Sequence, residues 1–406
     1  MNLLVNKLVL LLLIIVTTSS HANSFSAQQA GQGFTAITHN FTSSTSNPAL
    51  LSTYNDDDNL FFSLNVGGLG SDEYNLMDTA DRIVDNLDRL EKNINNIINV
   101  PPADLPNYLI ELDDQVVVII DDLEYADGKS VSLRSGLNLQ LIIPNKYVSF
   151  GFFSNQYGKI GGGVNYDQGD EKILYEAIFS PDGLDQSDLQ SSATGVGYSI
   201  EESGVMLSYQ AIKHASYDLN LGSKIKYQHI DLFYHDAKIA DFDDEDFDFR
   251  EQQYITDESS INIDLGLYTT WGKHRQWSLA LVSNNLFAQE VTHTAKNMTF
   301  NLDMTTILGM SYQNSWLTLA TEVDLTEREH FQQQIAAKYV SVGAEFRIFE
   351  HMKFRLGVRS DLNNNDVDIY TLGLGISPWD MFLLDIAAFT GDRDNAGAAI
   401  ELGIKI

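Results

Sequence analysis

The chain has no cysteine, which removes disulfides, thiolate metal sites and a lipid-modified cysteine behind a leader. Its longest purely apolar run, LVLLLLIIV from Leu8 to Val16, holds nine residues, against the roughly 18 that a membrane helix requires. Any crossing of a bilayer is therefore left to strands. Proline is scarce at 7 residues, as long β-ladders demand. Cations are outnumbered, 25 Lys and Arg against 56 Asp and Glu, for a net charge of −31; such a field repels nucleic acid, which is excluded as a partner. No His-Glu-x-x-His pair and no G-x-S-x-G elbow occur, and the 9 histidines are scattered. The residues therefore point to a protein that is not an enzyme.

What is present begins with Lys7, the apolar run and a small polar stretch ending Ser20-His21-Ala22, the layout of a cleaved export signal. Residues 1–22 are read as the leader, with cleavage between Ala22 and Asn23. Loss of Lys7 with it takes the charge from −31 to −32. Residues 23–58 are polar and poor in strand pattern, so they read as a loosely structured lead-in.

From about Ser130 onward the period is two. Leu137, Leu139, Leu141 and Ile143 alternate with Asn138, Gln140 and Ile142, and Pro144-Asn145-Lys146 turns the chain into Val148, Phe150 and Phe152. Asn220, Gly222, Lys224, Lys226 and Gln228 oppose Leu221, Ile225 and Tyr227; at the end Ile400, Leu402, Ile404 and Ile406 oppose Glu401, Gly403 and Lys405. Successive strand side chains face opposite sides of a sheet. One row is greasy enough for lipid and the other wet enough for a lumen. Segments such as YTLGLGIS and AAIELGIKI approach the 9–11 residues of a tilted membrane strand, and glycine recurs on the wet row, where crowded luminal side chains need room. Together with the leader this favours a barrel over a secreted sandwich. The fold class expected is all-β, a transmembrane antiparallel β-barrel of the outer-membrane type with about 14 strands, spanning 59–406.

One stretch breaks the pattern. Ile83, Leu87, Leu90, Ile94 and Ile97 recur at spacings of four and three, as do Leu105, Leu109, Leu112, Val116, Ile119 and Leu123 after Pro101-Pro102. This predicts a helical hairpin at 77–124, with Asp78 as N-cap and 12 acidic against 3 basic residues. The second helix competes with a strand, because VVVII at 116–120 is β-branched. With an even strand number the hairpin caps the outer mouth.

The segment NPALL at 47–51, after GQGF and just ahead of the first strand candidate LFFSLNVGG, resembles the front of the FadL-type outer-membrane transport family. The run FRLGVRSDLNNNDVDIYTLGLGISPWDMFLLDIAAFT resembles that family's closing strands. The whole layout is most similar to its branch of exported barrels named conjugal transfer protein TraF. The resemblance implies a 14-stranded barrel inserted in outer-membrane lipid by the barrel-assembly machinery. It also implies that residues 23–58 fold into the lumen as a hatch, with Asn47, Pro48 and Ala49 as structural hatch residues. It implies passage of small hydrophobic compounds. Two features depart from the pattern: the chain ends at Ile406 where many such barrels end in an aromatic, and it carries the long acidic insertion. A second reading is a structural or interaction component of a cell-surface apparatus such as a conjugation system, with the hairpin and acidic loops meeting partner proteins.

On the luminal row Glu345, Arg347, Arg355, Arg359, Asp385, Glu401 and Lys405 are the charge candidates. They can form internal ion pairs that stiffen the wall, or a charge-selective constriction. No cofactor is expected. The acidic run DFDDEDFDF at 241–249 could hold a divalent cation, but it and DLNNNDVD at 361–368 lack the glycine and terminal Glu of a calcium loop, so both read as solvated. GGLG at 67–70 and GGG at 161–163 are not followed by helices; they suit bulges and tight strand packing rather than phosphate.

Overall fold

The computed structural model describes residues 25–54, 58–72, 74–181, 183–238, 254–293, 298–328, 336–349, 351–392 and 395–406. The leader with its cleavage site at Ala22 and Asn23, and the acidic run 241–249, lie outside the described residues.

Among the described residues sixteen strands follow in chain order: β1 (Phe61–Ser71), β2 (Ser130–Ile143), β3 (Ser149–Asn165), β4 (Ser192–Lys213), β5 (Tyr217–Lys238), β6 (Ile255–Trp271), β7 (Trp277–Asn284), β8 (Gln289–Thr292), β9 (Thr299–Leu302), β10 (Thr305–Gln313), β11 (Leu317–Asp324), β12 (Tyr339–Phe349), β13 (Met352–Asp361), β14 (Ile369–Ile376), β15 (Phe382–Gly391) and β16 (Asn395–Lys405). Fourteen of them close into one antiparallel barrel, β1 pairing with both β2 and β16; β8 and β9 form a separate ribbon. The two-residue rhythm sorts as expected. Ile400, Leu402 and Ile404 are exposed outside while Glu401 is buried inside, and Ile261 and Leu265 are exposed while Asn262 and Asp264 are buried.

The barrel is lopsided. Strands β7 and β10–β16 have 8 to 11 residues, but β4 and β5 have 22 each, about 70 Å of chain at ~3.3 Å per residue. That exceeds the length a bilayer crossing needs. The extra height is used: the ribbon folds back against it, Val291, Phe300 and Leu302 packing on Tyr157, Tyr198, Ile200, Ile230 and Leu232. The glycine groups 67–70 and 161–163 sit in unbroken register, contrary to the bulge expectation. Register shifts occur instead at Gln210/Ile212 and Arg347/Phe349.

One end of the barrel carries tight turns, such as Asn145 N–H to Ser149 Oγ at 3.1 Å, and both the start of β1 and the end of β16. The opposite end carries every long connection. There the helices α2 (Leu76–Asn96) and α3 (Leu105–Ala126) form the expected hairpin, joined by α4 (Gly169–Ala177); α1 (Ala27–Gly31) lies far ahead, before β1. Val116, Ile119 and Ile120 are buried in the hairpin seam, so burial overrides their β preference and the segment is helical. Asp78 is not the cap. Asn75 adopts a left-handed backbone, and Asp72 accepts the Leu76 and Met77 N–H groups at 2.6 and 3.3 Å, satisfying donors a helix start leaves open.

Residues 25–54 are not loosely structured. Phe25, Ala27, Ile37, Phe41, Leu50 and Leu51 are all buried, as are Gln28, Gln32, Thr35 and Asn47. Between Phe25 and Tyr54 there is no Asp, Glu, Lys or Arg, which spares this buried segment the desolvation of an ion.

Candidate functional site

The N-terminal segment runs around the inside of the barrel, held by inward-facing side chains from opposite parts of the wall. Ser26 Oγ donates to Glu401 Oε2 on β16 at 2.5 Å, and Gly33 N–H to Thr371 Oγ1 on β14 at 2.9 Å. Glu322 on β11 accepts the Ala36 and Ile37 N–H groups at 2.6 and 2.8 Å. On the far side Gln140 of β2 donates to the Thr42 carbonyl at 2.6 Å, and Lys224 of β5 to the Thr45 carbonyl at 2.9 Å. Buried backbone polar groups need partners; here the wall supplies them.

Asn47, Pro48 and Ala49 start a short helical turn over 48–52. Asn47 Oδ1 accepts the Ala49 N–H at 3.0 Å, and Nδ2 donates to the Ile37 carbonyl at 2.9 Å. The wall behind them is Gly222 and Gly266: a Cβ there would lie 2.3 Å from Ala49 N and 2.2 Å from Asn47 Oδ1. Across the lumen Gly343 and Gly357 play the same part against Gln32 and Gly33. The glycines of the wet row thus make room for the backbone of the N-terminal segment at these four positions, and for crowded luminal side chains, as the sequence suggested, at Gly375, where a Cβ would lie 2.2 Å from Asp385 Oδ1.

The charge candidates fall into separate groups. Arg355, fully buried, bonds Glu345 Oε2 from Nε at 2.9 Å and also Asp385; Arg347 joins at 3.0 Å from Glu345 Oε1. Glu401 faces Ser26, and Lys405 reaches Asp58 at 3.2 Å near the short-turn rim. Arg359 is in none of these ion pairs. Its guanidinium carbon lies over the rings of Phe34 and Tyr339, 4.4 and 4.7 Å from their centroids. A further group escaped sequence reading: Lys226 bonds Glu202 at 2.8 Å and Asp264 at 3.0 Å, and Lys224 bonds Asp264 at 2.7 Å, all four buried. Their rows were visible, but pairing across β4, β5 and β6 requires the register.

The loop 361–368 is solvated at Leu362, Asn364 and Asn365, as expected, but two of its carboxylates turn inward. Asp361 accepts backbone N–H groups of Lys338, Asn365 and Asp366 at 2.7, 2.6 and 2.9 Å, and Asp366 takes both Arg134 nitrogens at 2.8 and 3.0 Å plus the Tyr339 hydroxyl at 2.6 Å. These carboxylates have no capacity left for a cation. Among the described residues no group of three His, Asp or Glu is arranged to hold a metal.

A cavity of about 70 Å³ remains between the N-terminal segment and β10–β13, lined by Phe34, Ile37, Ile307, Glu322, Tyr339 and Arg359 among others.

The family model described as "F plasmid transfer operon, TraF, protein" matches residues 45–324, more than half of the chain. The chain belongs to this family. No curated protein sequence matches it. Among solved structures, the Pseudomonas putida toluene transporter TodX is similar at a TM-score of 0.53 and 10% identity, covering 95% of this chain and 99% of that one. The CymD monoaromatic hydrocarbon channel gives 0.54 and 10%, covering 96% and 99%. At that identity the likeness is one of fold. This TraF-family chain therefore shares the fold of TodX and CymD, a closed barrel of 14 strands with an N-terminal segment inside.

Proposed function

We propose that this protein is an outer-membrane channel that binds or passes small hydrophobic compounds through a lumen plugged by residues 25–54. The observation that carries the reading is the fit of that uncharged segment against wall glycines. The segment occupies the lumen and borders a partly apolar cavity, so a compound must displace or skirt it. A small apolar molecule entering the lumen gains by desolvation, as an ion does not. The kinship of fold with channels for toluene and monoaromatic hydrocarbons supports the same cargo class. Tight turns and both barrel termini share one end, so that end is assigned to the periplasm and the helical lobe to the outside. The test is uptake of labelled toluene and of longer alkyl compounds in a deletion strain and its complement. Slower uptake restored by the complement supports the reading; equal uptake of every compound refutes it.

The second reading, a component of a conjugation or surface apparatus, is favoured by the family description and by the acidic hairpin. Transfer frequency in the same deletion strain separates the two.

A further inference from the structure

We propose that Ser259, His229 and Asp231, on the outer face of the barrel wall, form a serine hydrolase site that cleaves acyl esters of lipids in the surrounding leaflet. The inference goes beyond the channel reading and does not depend on what passes through the lumen.

His229 stands directly opposite Ser259 in the β5–β6 pairing, and Asp231 follows on the same face of β5, since alternate strand residues share a face. His229 Nε2 is 3.2 Å from Asp231 Oδ1, and His229 Nδ1 is 2.7 Å from Ser259 Oγ. An imidazole that donates from Nε2 to the carboxylate keeps Nδ1 without a proton, ready to accept from the serine hydroxyl. This is the order of nucleophile, base and orienting carboxylate that activates a serine, and geometry identifies it, not position in the chain. No short motif marks it, because the register alone brings Ser259 to His229. Ser259 is exposed, so an ester can reach it. The Tyr227 hydroxyl, 2.8 Å from Ser259 Oγ, is a donor beside the place where an oxyanion develops. Glu201 lies opposite His229 and Asp257 opposite Asp231, and their charge favours the imidazolium formed during attack.

Depth selects the substrate. From Tyr217 at the short-turn end, β5 turns Leu221, Ile225 and Tyr227 outward, all exposed, and His229 comes next in that row. The stretch from Tyr217 to His229 covers about 40 Å of strand at ~3.3 Å per residue, or roughly 30 Å of height at the usual barrel tilt, against an apolar band of about 25 Å. The three residues therefore sit just past the greasy band, in the interfacial layer of head groups and ester linkages. Ile225, Tyr227 and Ile261, exposed beside them, offer an apolar track for the acyl chain.

In the reaction Ser259 Oγ bonds to the ester carbonyl carbon while its proton passes to His229 Nδ1 and the carbonyl electron pair moves onto oxygen. Collapse breaks the bond to the alcohol oxygen, which takes the proton from Nδ1 and leaves. Water then attacks the acyl-serine by the same route, and the proton it gives to Nδ1 returns to Ser259 Oγ as the fatty acid departs.

The experiment reconstitutes the folded full chain in phosphatidylethanolamine vesicles and measures fatty-acid release, together with covalent labelling by a fluorescent fluorophosphonate mapped by peptide mass. Release and labelling at Ser259 are expected, both reduced at least about 100-fold in Ser259→Ala and His229→Asn, and at least about tenfold in Asp231→Asn. Ser203→Ala, on the outward row of β4, is expected to match the parent. Heat-modifiable migration on gels reports that each variant is folded. A parent that releases no fatty acid or takes no label at Ser259, or release that survives Ser259→Ala, overturns the proposal.

Discussion

A methyl group at Gly222 would stand 2.3 Å from the Ala49 nitrogen and the Pro48 carbonyl carbon, and one at Gly266 2.2 Å from Asn47 Oδ1. Comfortable contact lies near 3.5 Å, so the plug must retreat by about 1 Å or more. Overpacking of this kind costs about 1–3 kcal/mol per site, with the two sites coupled because both press on the same turn. Against it stand three hydrogen bonds to the wall that retreat would break, Asn47 to Leu267, Lys224 to Thr45 and Ser208 to Ala49, worth about 1 kcal/mol net each. The two sums are comparable. In Gly222→Ala/Gly266→Ala the turn should therefore be displaced in a large share of molecules, with the barrel intact because its ladder is untouched. The assay is chymotrypsin cleavage at Phe34 and Phe41 together with conductance in planar bilayers; both should rise at least tenfold. Gly162→Ala is the control, since its nearest neighbour would be the Thr194 carbonyl at 3.5 Å. A double variant that folds and matches the control in both assays would refute the reasoning.

Glu322→Ala should lower the thermal midpoint of plug release more than Glu322→Gln, because alanine orphans the Ala36 and Ile37 N–H groups at about 1–3 kcal/mol each whereas glutamine keeps an acceptor. Arg355→Met should destabilise the barrel by about 3–5 kcal/mol by stranding Asp385 and part of Glu345, with ion selectivity unchanged; altered selectivity at full stability would favour a constriction instead. Desolvation lowers the His39 imidazole from 6.5 to about 4, with Arg355, Lys353 and Arg347 adding to it and Glu345 opposing. The plug binds the neutral ring, so its stability is complete above pH 6.5 and falls as the pH drops toward 4; protease sensitivity should rise roughly tenfold across that window, and His39→Gln should flatten the profile. Leu87→Ala, in the helical seam, should cost about 2–5 kcal/mol and open the hairpin to protease while leaving the plug protected.

The barrel was legible because lipid and lumen impose opposite demands on alternate residues, and Ile400 to Ile406 or Ile261 to Leu267 carry those demands in plain order. The hairpin was legible from its seam, even where Val116 to Ile120 argued locally for a strand, because tertiary burial decided. What could not be read was anything set by register. Arg355 of β13 meets Glu345 on the adjacent β12 and Asp385 on β15, two strands away, and Lys226 of β5 meets Glu202 and Asp264 on its two neighbours β4 and β6. The N-terminal segment was legible only through the family resemblance, which implied a luminal hatch; its own polar side chains and weak periodicity suggested a loose lead-in. The overlooked signal was the run from Phe25 to Tyr54 without a single carboxylate, amine or guanidinium in a chain of net charge −31. A segment destined for burial avoids ions; a solvated one in this protein would not have.

The most direct test uses the absence of native cysteine. Ser52 and Ser208 hydroxyls lie 2.5 Å apart, one on the plug and one on the inner face of β4, a separation compatible with a disulfide between cysteines at both positions. In Ser52→Cys/Ser208→Cys, mild oxidation of the membrane-embedded protein should produce an internal crosslink in nearly all molecules, reversed by reductant. Free labelling of both thiols by a bulky maleimide, with no crosslink, would place the N-terminal segment outside the barrel and contradict the account.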